Sequence, residues 1–417
     1  MTSERKVYVY IQLPDEQRIV PCGVFVHAEG RAGPYGRFAY AGSYRERSEA
    51  VPLDPIALPV QGRTFETTEF AGLFSVLRDA APDAWGRYVI DKREGRTGFD
   101  DLDYLLLASG ERPGALFFSS TADEPPEPGT PLLDLEKIQW ALRHLERAAP
   151  GQPIPEEVRQ IARHGSSLGG ARPKAEVVLD GRHWVAKFSR ERDRFRYAVA
   201  ERAMLELAHR NGIQVPEARL EKVAGEDVLL IERFDRRTSA DGWLRHRVAS
   251  AVTALRASDS PTDRERWSYP LLADEIQRWS REPERNQREL FRRMVFAALI
   301  SNTDDHPRNH CLVAPGRHWR LSPAYDLLPF PEVSEEARHL AMEVGEFGRL
   351  ARRDNILSQA PRFGFELAVA EQVIDEMVEG VREGWELALR DFGASEGEIE
   401  LLRPAFLYPG FDYPSLS

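Results

Sequence analysis

Residues 302–309 read Asn-Thr-Asp-Asp-His-Pro-Arg-Asn, and the rest of the 417-residue chain can be read outward from them. In protein-kinase catalytic loops an Asp accepts the proton of the attacking hydroxyl and a later Asn binds magnesium, in the spacing D-x-x-x-x-N. Counting from Asp304 puts Asn309 in the magnesium position, which selects Asp304 over its neighbour Asp305 as the candidate base. The preceding run LFRRMVFAALI reads as an apolar helix that holds this loop at the bottom of a cleft. After Asn309, CLVAP and HWRLS read as a hairpin that delivers Asp326, in the run PAYD, as a second metal carboxylate. Such an acidic cluster repels itself without a cation, and Mg2+ supplies it. The plainer alternative is a polar turn between helix and strand, since Asn, Asp and Pro all favour turns. The second carboxylate at the end of the hairpin weighs against it.

Upstream, EVVL, a turn at Asp180-Gly181 and HWVAKF predict a hairpin carrying Lys187 between apolar neighbours. A kinase sets such a strand lysine against the α- and β-phosphates. Burying an unpaired ammonium is costly, so Lys187 needs anions, and Glu201 on the next predicted helix, FRYAVAERAMLELAHRNG, is the candidate partner. The loop before the hairpin, residues 165–174, holds Gly169 and Gly170, whose backbone can approach phosphate oxygens, followed by Ala171 and the cationic Arg172 and Lys174. It matches neither GxxxxGK[ST] nor GxGxxG. Where the sheet half meets the helical half, Phe234 could pack on an adenine and Glu232 contribute its carbonyl.

The order is glycine loop, lysine strand, helix with glutamate, two strands, then a helical half with a catalytic loop. It predicts an α+β, two-lobed protein-kinase-like fold with a small α/β N-lobe and an all-helical C-lobe, preceded by an additional N-terminal α/β subdomain. The N-terminal part opens with strands (VYVYIQL, VPCGVFVHAEG, GRFAYAG) and turns helical between Phe70 and Lys92. The proline-rich stretch ADEPPEPGTP marks a boundary, so the expected domains are 1–130, 131–245 and 246–417. From about Arg247 onward the reading is mostly helical.

Composition narrows the function. A formal net charge of -11 argues against a general grip on nucleic acid, which rewards clustered Lys and Arg. The two cysteines, Cys22 and Cys311, sit in no CxxC pair, which excludes a zinc or thioredoxin-type motif and favours a reducing compartment. Neither a secretory signal nor a membrane-spanning run is visible, so a soluble cytoplasmic protein is expected.

The runs SSLGGARPKA, VAKF, IERFDR, SNTDDHPRNH and LSPAYDLLP together resemble the HipA family of bacterial serine/threonine kinases, the toxin halves of toxin–antitoxin pairs. LRDAAPDAWGRYVI and ERPGALFF resemble that family's N-terminal region, so the resemblance spans nearly the whole chain. It implies Asp304 as catalytic base, Asn309 and Asp326 as magnesium ligands, and Lys187 on phosphate. It further implies ATP contacts from Gly169, Gly170, Ala171, Arg172, Lys174, Glu232, Arg233, Phe234 and His306. Autophosphorylation in the loop before the glycines would fall on Ser167, with Ser166 its rival. The implied partners are a protein substrate, such as an aminoacyl-tRNA synthetase or another translation component, and a helix-turn-helix antitoxin of the HipB type. The chain departs from many relatives at one point: where they carry Gln-Glu-Asp-x-Cys-Gln, it reads Arg-Val-Ala-Ser-Ala-Val at 247–252. A small-molecule hydroxyl kinase and a silent scaffold bound to a DNA-binding antitoxin are the rival expectations.

Overall fold

The computed structural model describes residues 4–122, 126, 134–148, 152, 154–162, 172–190, 192–240, 242–331 and 334–414. The N-terminal unit is an antiparallel sheet of β1 (Glu4–Gln12), β2 (Ile19–Gly30), β3 (Gly33–Tyr40), β4 (Thr64–Thr67) and β5 (Leu116–Ser119), in the order β4-β3-β2-β1-β5. Alternation along β1 sends Val7, Val9 and Ile11 into one core with Phe25 and Phe38. The helical spacing expected from Phe70 to Lys92 is broken into a 3-10 turn Glu69–Gly72, a single turn Ser75–Arg78 and the helix Ala84–Glu94. Pro82 lies at the last break; its missing N–H and fixed φ suit a helix start rather than an interior.

The middle sheet contains β6 (Lys174–Leu179), β7 (Arg182–Lys187), β8 (Ala218–Val223) and β9 (Glu226–Glu232), ordered β6-β7-β9-β8. Its hairpin turns where expected: Asp180 and Gly181 have φ of 54° and 67°, the left-handed pair that a two-residue turn requires. The period of two along these strands decides which residues can do chemistry. Ala175, Val177, Trp184, Ala186, Val228 and Leu230 point into a core shared with helices Leu135–Arg147 and Glu156–Ala162. The intervening residues face the opposite way, so Leu229 and Ile231 pack with the helix Tyr197–Arg210, and Lys174 and Lys187, paired across β6 and β7, stand side by side on that face.

The third core runs from Phe195 to Phe411 and is mainly helical. Its axis is Pro283–Leu299, whose last turns (Met294, Val295, Phe296, Ala297, Ala298 and Leu299) are buried on every side. The hairpin expected at CLVAP and HWRLS is present, and it belongs to a larger sheet, so this half is not all-helical. After the hairpin β10 (Arg236–Ser239) and β11 (Gly242–Arg245), β12 (Arg247–Ser250), β13 (Cys311–Ala314) and β14 (Arg320–Leu321) form a three-stranded antiparallel sheet. The helical reading from Arg247 onward therefore gives way, for its first four residues, to a strand whose Ser250 pairs with Cys311. A short apolar run carries too little periodicity to settle this locally. Among the described residues, no helix is long and apolar enough to cross a membrane.

Candidate active site

A cleft of about 500 Å³ separates the β6–β9 sheet from the helical half. The buried helix Pro283–Leu299 runs to its floor and stops there: Asn302 N–H turns back to the Ala297 carbonyl at 2.8 Å, and Ser301 takes a left-handed φ of 52°. The following loop is tied to itself. The Asp304 carbonyl accepts from His306 N–H at 2.8 Å and from Asn309 Nδ2 at 3.3 Å, and Asn309 N–H donates to the His306 carbonyl at 2.8 Å.

The two adjacent aspartates go to different places. Asp305 is buried, accepting from Tyr269 Oη and lying 3.1 Å from His310 Nε2, so it anchors the loop. Asp304 is exposed at the cleft, and its carboxylate accepts no hydrogen bond among the described residues. Partial desolvation raises its pKa; His306 opposes that rise, while Asp326 and Asp305 add to it.

Across the cleft, Lys187 Nζ lies 2.6 Å from Glu201 Oε1 and 2.6 Å from Asp326 Oδ1. Glu201 also accepts from the Asp326 backbone N–H at 3.2 Å, which holds Asp326 in a left-handed turn with φ of 60°. Burial raises the Glu201 carboxyl, with the Lys187 charge opposing it. Burial pushes Asp326 the same way, yet Lys187 and Lys174 outweigh it and hold that carboxyl well below the usual range. Lys174 is buried beside them and makes no salt bridge to a described residue; desolvation lowers its pKa, with Asp326 and Glu201 opposing.

Asn309, Asp304 and Asp326 line one cleft, and the Asn309 Nδ2 bond leaves its Oδ1 without a partner among the described residues. No three His, Cys, Asp or Glu side chains converge as a metal cage among those residues. Magnesium does not require one, because it binds through one or two carboxylates together with substrate phosphates, and the hard oxygens of Asn309 and Asp326 fit that demand.

The remaining candidates divide. Phe234 stacks on Tyr325 with centroids 5.7 Å apart, and Tyr325 Oη donates to the Arg308 carbonyl at 2.8 Å, beside Asp326. Arg172 pairs with Asp193 and lies 3.7 Å over the Tyr197 ring. His306 lines the cleft, its Nδ1 buried without a hydrogen-bond partner among the described residues. Glu232 spends its carboxylate on Arg182. Arg233 lines the cleft, with its guanidinium held in a buried network with Glu176, Asp235 and the Glu111 carbonyl. Gly169, Gly170, Ala171, Ser166 and Ser167 lie outside the described residues. Asp79, Asp83 and Arg308 also line the cleft. All three lie in runs quoted above, LRDAAPDAWGRYVI and SNTDDHPRNH, but nothing in those runs assigned them a role in the cleft.

The family model for the HipA N-terminal domain matches residues 21–119, and that for the HipA-like C-terminal domain matches residues 166–385. A Haemophilus influenzae protein named "Putative kinase" is 28% identical over 242 residues, 53% of this chain and 68% of the relative. The Sinorhizobium fredii protein "Putative kinase Y4mE" is 24% identical over 388 residues, 87% of this chain and 89% of the relative. The HipA chain solved with HipB and operator DNA from Shewanella oneidensis superposes with a TM-score of 0.69 at 15% identity, covering 96% of this chain and 94% of that one, so the kinase-like α+β architecture is shared. The C-terminal match alone takes in more than half of the sequence, and the chain belongs to the HipA family.

Proposed function

We propose that this protein is an ATP- and Mg2+-dependent serine/threonine protein kinase of the HipA toxin type. The observation that carries the proposal is the bridge from Lys187 to both Glu201 and Asp326, at 2.6 Å each, opposite an exposed Asp304. That grouping suits a polyphosphate: Lys187 and Lys174 would meet its oxygens, and Asn309 with Asp326 would hold Mg2+, which neutralises phosphate charge when bound. Asp304 would orient the attacking hydroxyl and take its proton, a role helped by a carboxyl whose pKa burial raises from its ordinary value. Phe234 would pack on the base. Most of the acceleration would come from positioning and fixed charge, since phosphoryl transfer needs little covalent chemistry from the protein.

Relatives named as kinases support the activity, and a neighbour solved with HipB and operator DNA supports an antitoxin partner of the HipB type. A protein substrate, a modified serine at Ser167 or Ser166, and a cytoplasmic location complete the reading. Intact-mass spectrometry after incubation with Mg-ATP tests it. A phosphate on Ser167 or Ser166 in the wild type, absent in Asp304→Asn, is expected. ATP consumption only in the presence of a metabolite would indicate a small-molecule kinase, and no nucleotide binding would indicate a scaffold.

A further inference from the structure

The run between Asp304 and Asn309 contains Arg308, whose side chain leaves the cleft floor and is gripped from two directions. Its Nε and Nη2 meet the two Asp259 oxygens at 2.7 and 2.6 Å, a bidentate pair, and its Nη1 lies 3.3 Å from Asp83 Oδ1. Arg78 extends the chain, its Nη2 3.0 Å from Asp259 Oδ2. Arg78 and Asp83 belong to the N-terminal unit, more than 200 residues before the loop. Asp83 precedes the helix Ala84–Glu94 yet does not cap it with its side chain; the carboxylate is turned to Arg308 instead. Between them, Asp79 accepts from Ser250 N–H, Ser250 Oγ and Thr253 Oγ1, each at 2.7 Å, at the point where β12 meets β13. Arg308 is also linked by its carbonyl to Tyr325, the residue before Asp326.

From this arrangement we infer that the N-terminal unit is a positioning element of the catalytic site. Residues 78–83, acting through Arg308, set the loop that bears Asp304 and Asn309 and, through Tyr325, the turn that bears Asp326. A bidentate Arg–carboxylate pair fixes direction as well as distance, and a second carboxylate on the remaining nitrogen removes the last freedom of the guanidinium. Arg78 meets Asp259, and Asp83 meets Arg308 at the edge of the cleft. Their effect is on where the loop sits, and whatever moves residues 78–83 changes the rate by displacing that loop.

The inference rests on the kinase reading for its kinetic consequence but not for its structural one, so the test carries two readouts. In hydrogen exchange on the full chain, Arg308→Gln and the pair Arg78→Gln/Asp83→Asn should exchange amides at 302–310 and 323–327 several-fold faster, with β1–β3 unchanged. In phosphoryl transfer, kcat should fall on the order of 10²-fold for Arg308→Gln, as expected for a misplaced reacting group, with a smaller rise in the KM for ATP because the displaced loop and turn also bear Asn309 and Asp326. Arg308→Lys keeps the charge but cannot hold both carboxylates, so it should be as impaired as Arg308→Gln; full rescue by lysine would overturn the positioning role. Unchanged exchange in both loops would also overturn it, whether or not the wild type transfers phosphate. A wild type inactive on every acceptor would instead count against the kinase reading alone. Should Arg308 variants fail to fold, Asp259→Asn, at an exposed position, gives the same exchange readout.

Discussion

Two charged clusters lie close together in this molecule, and they are built on opposite rules. Beside the cleft, Arg233 donates to Asp235 Oδ1 and Oδ2 at 2.9 and 2.8 Å and to Glu176, and Arg236 donates to Asp235 at 2.8 Å. Gly114 N–H adds another bond to Asp235 at 2.8 Å, and Arg236 reaches the Arg112 carbonyl at 2.8 Å. Each of these ions finds its partner inside the protein. In the cleft, by contrast, Lys174 has no salt bridge and Asp304 no hydrogen bond to its carboxylate among the described residues, while Lys187 alone serves two carboxylates. A closed network makes structure; an open one is incomplete until something binds. Strand alternation puts Glu176 and Lys174 on the same face of β6, so the two clusters diverge within three residues.

The sharpest way to break this contrast is to remove one partner from the closed network. Asp235→Asn leaves Arg233 and Arg236 short of a counter-charge and should lower unfolding stability by about 3–5 kcal/mol in chemical denaturation. In the open network, Lys187→Met should leave the fold largely intact and cut phosphoryl transfer by roughly 10²-fold or more, measured as kcat/KM for ATP. Melting as low as that of Asp235→Asn would place Lys187 among the structural ions instead.

Acid should separate the clusters too. Burial raises Asp235, but Arg233 and Arg236 outweigh it and hold its carboxyl far below its ordinary value. A depressed folded pKa gives stability that is present above the unfolded value, about 4, and is lost as pH falls from there toward the folded one. Wild-type stability should therefore decline below about pH 4, and Asp235→Asn should flatten that decline. Asp304 and Glu201 have the opposite sign: raised by burial, they favour the fold below their unfolded pKa and lose that contribution as pH climbs through the folded one. For transfer, the acid limb of kcat should sit above that of an unperturbed aspartate, because Asp304 must be ionised to act. The smallest effect is expected at Phe234→Ala, which removes one stacked ring facing Tyr325 and should weaken ATP binding by about 1 kcal/mol in a calorimetric titration.

Much of the fold was legible because it is written locally. The Asp180-Gly181 turn, the apolar alternation of β6 to β9 and the stop after Arg210 at Gly212, with φ of 76°, each follow from a few neighbouring residues. The count that separates Asp304 from Asp305 is equally local, and the structure gives the neighbours different surroundings. What escaped the sequence depends on partners far along the chain. Arg233 reads as a hinge residue beside Phe234, yet its guanidinium belongs to Glu176, 57 positions away. Arg308 reads as a spacer within the motif, and its partner Asp83 lies in another unit altogether. The strand Arg247–Ser250 exists because Cys311–Ala314 lies alongside it, a pairing that no window of neighbouring residues contains.

The most direct test of the central claim is a paired measurement on Asp304→Asn and wild type: ATP affinity with Mg2+ by calorimetry, and γ-phosphate transfer by the same sample. The account predicts equal affinity and transfer reduced by about 10²- to 10⁴-fold in the variant. Wild-type transfer rates in Asp304→Asn, or an affinity for Mg-ATP that collapses with that single substitution, would contradict it.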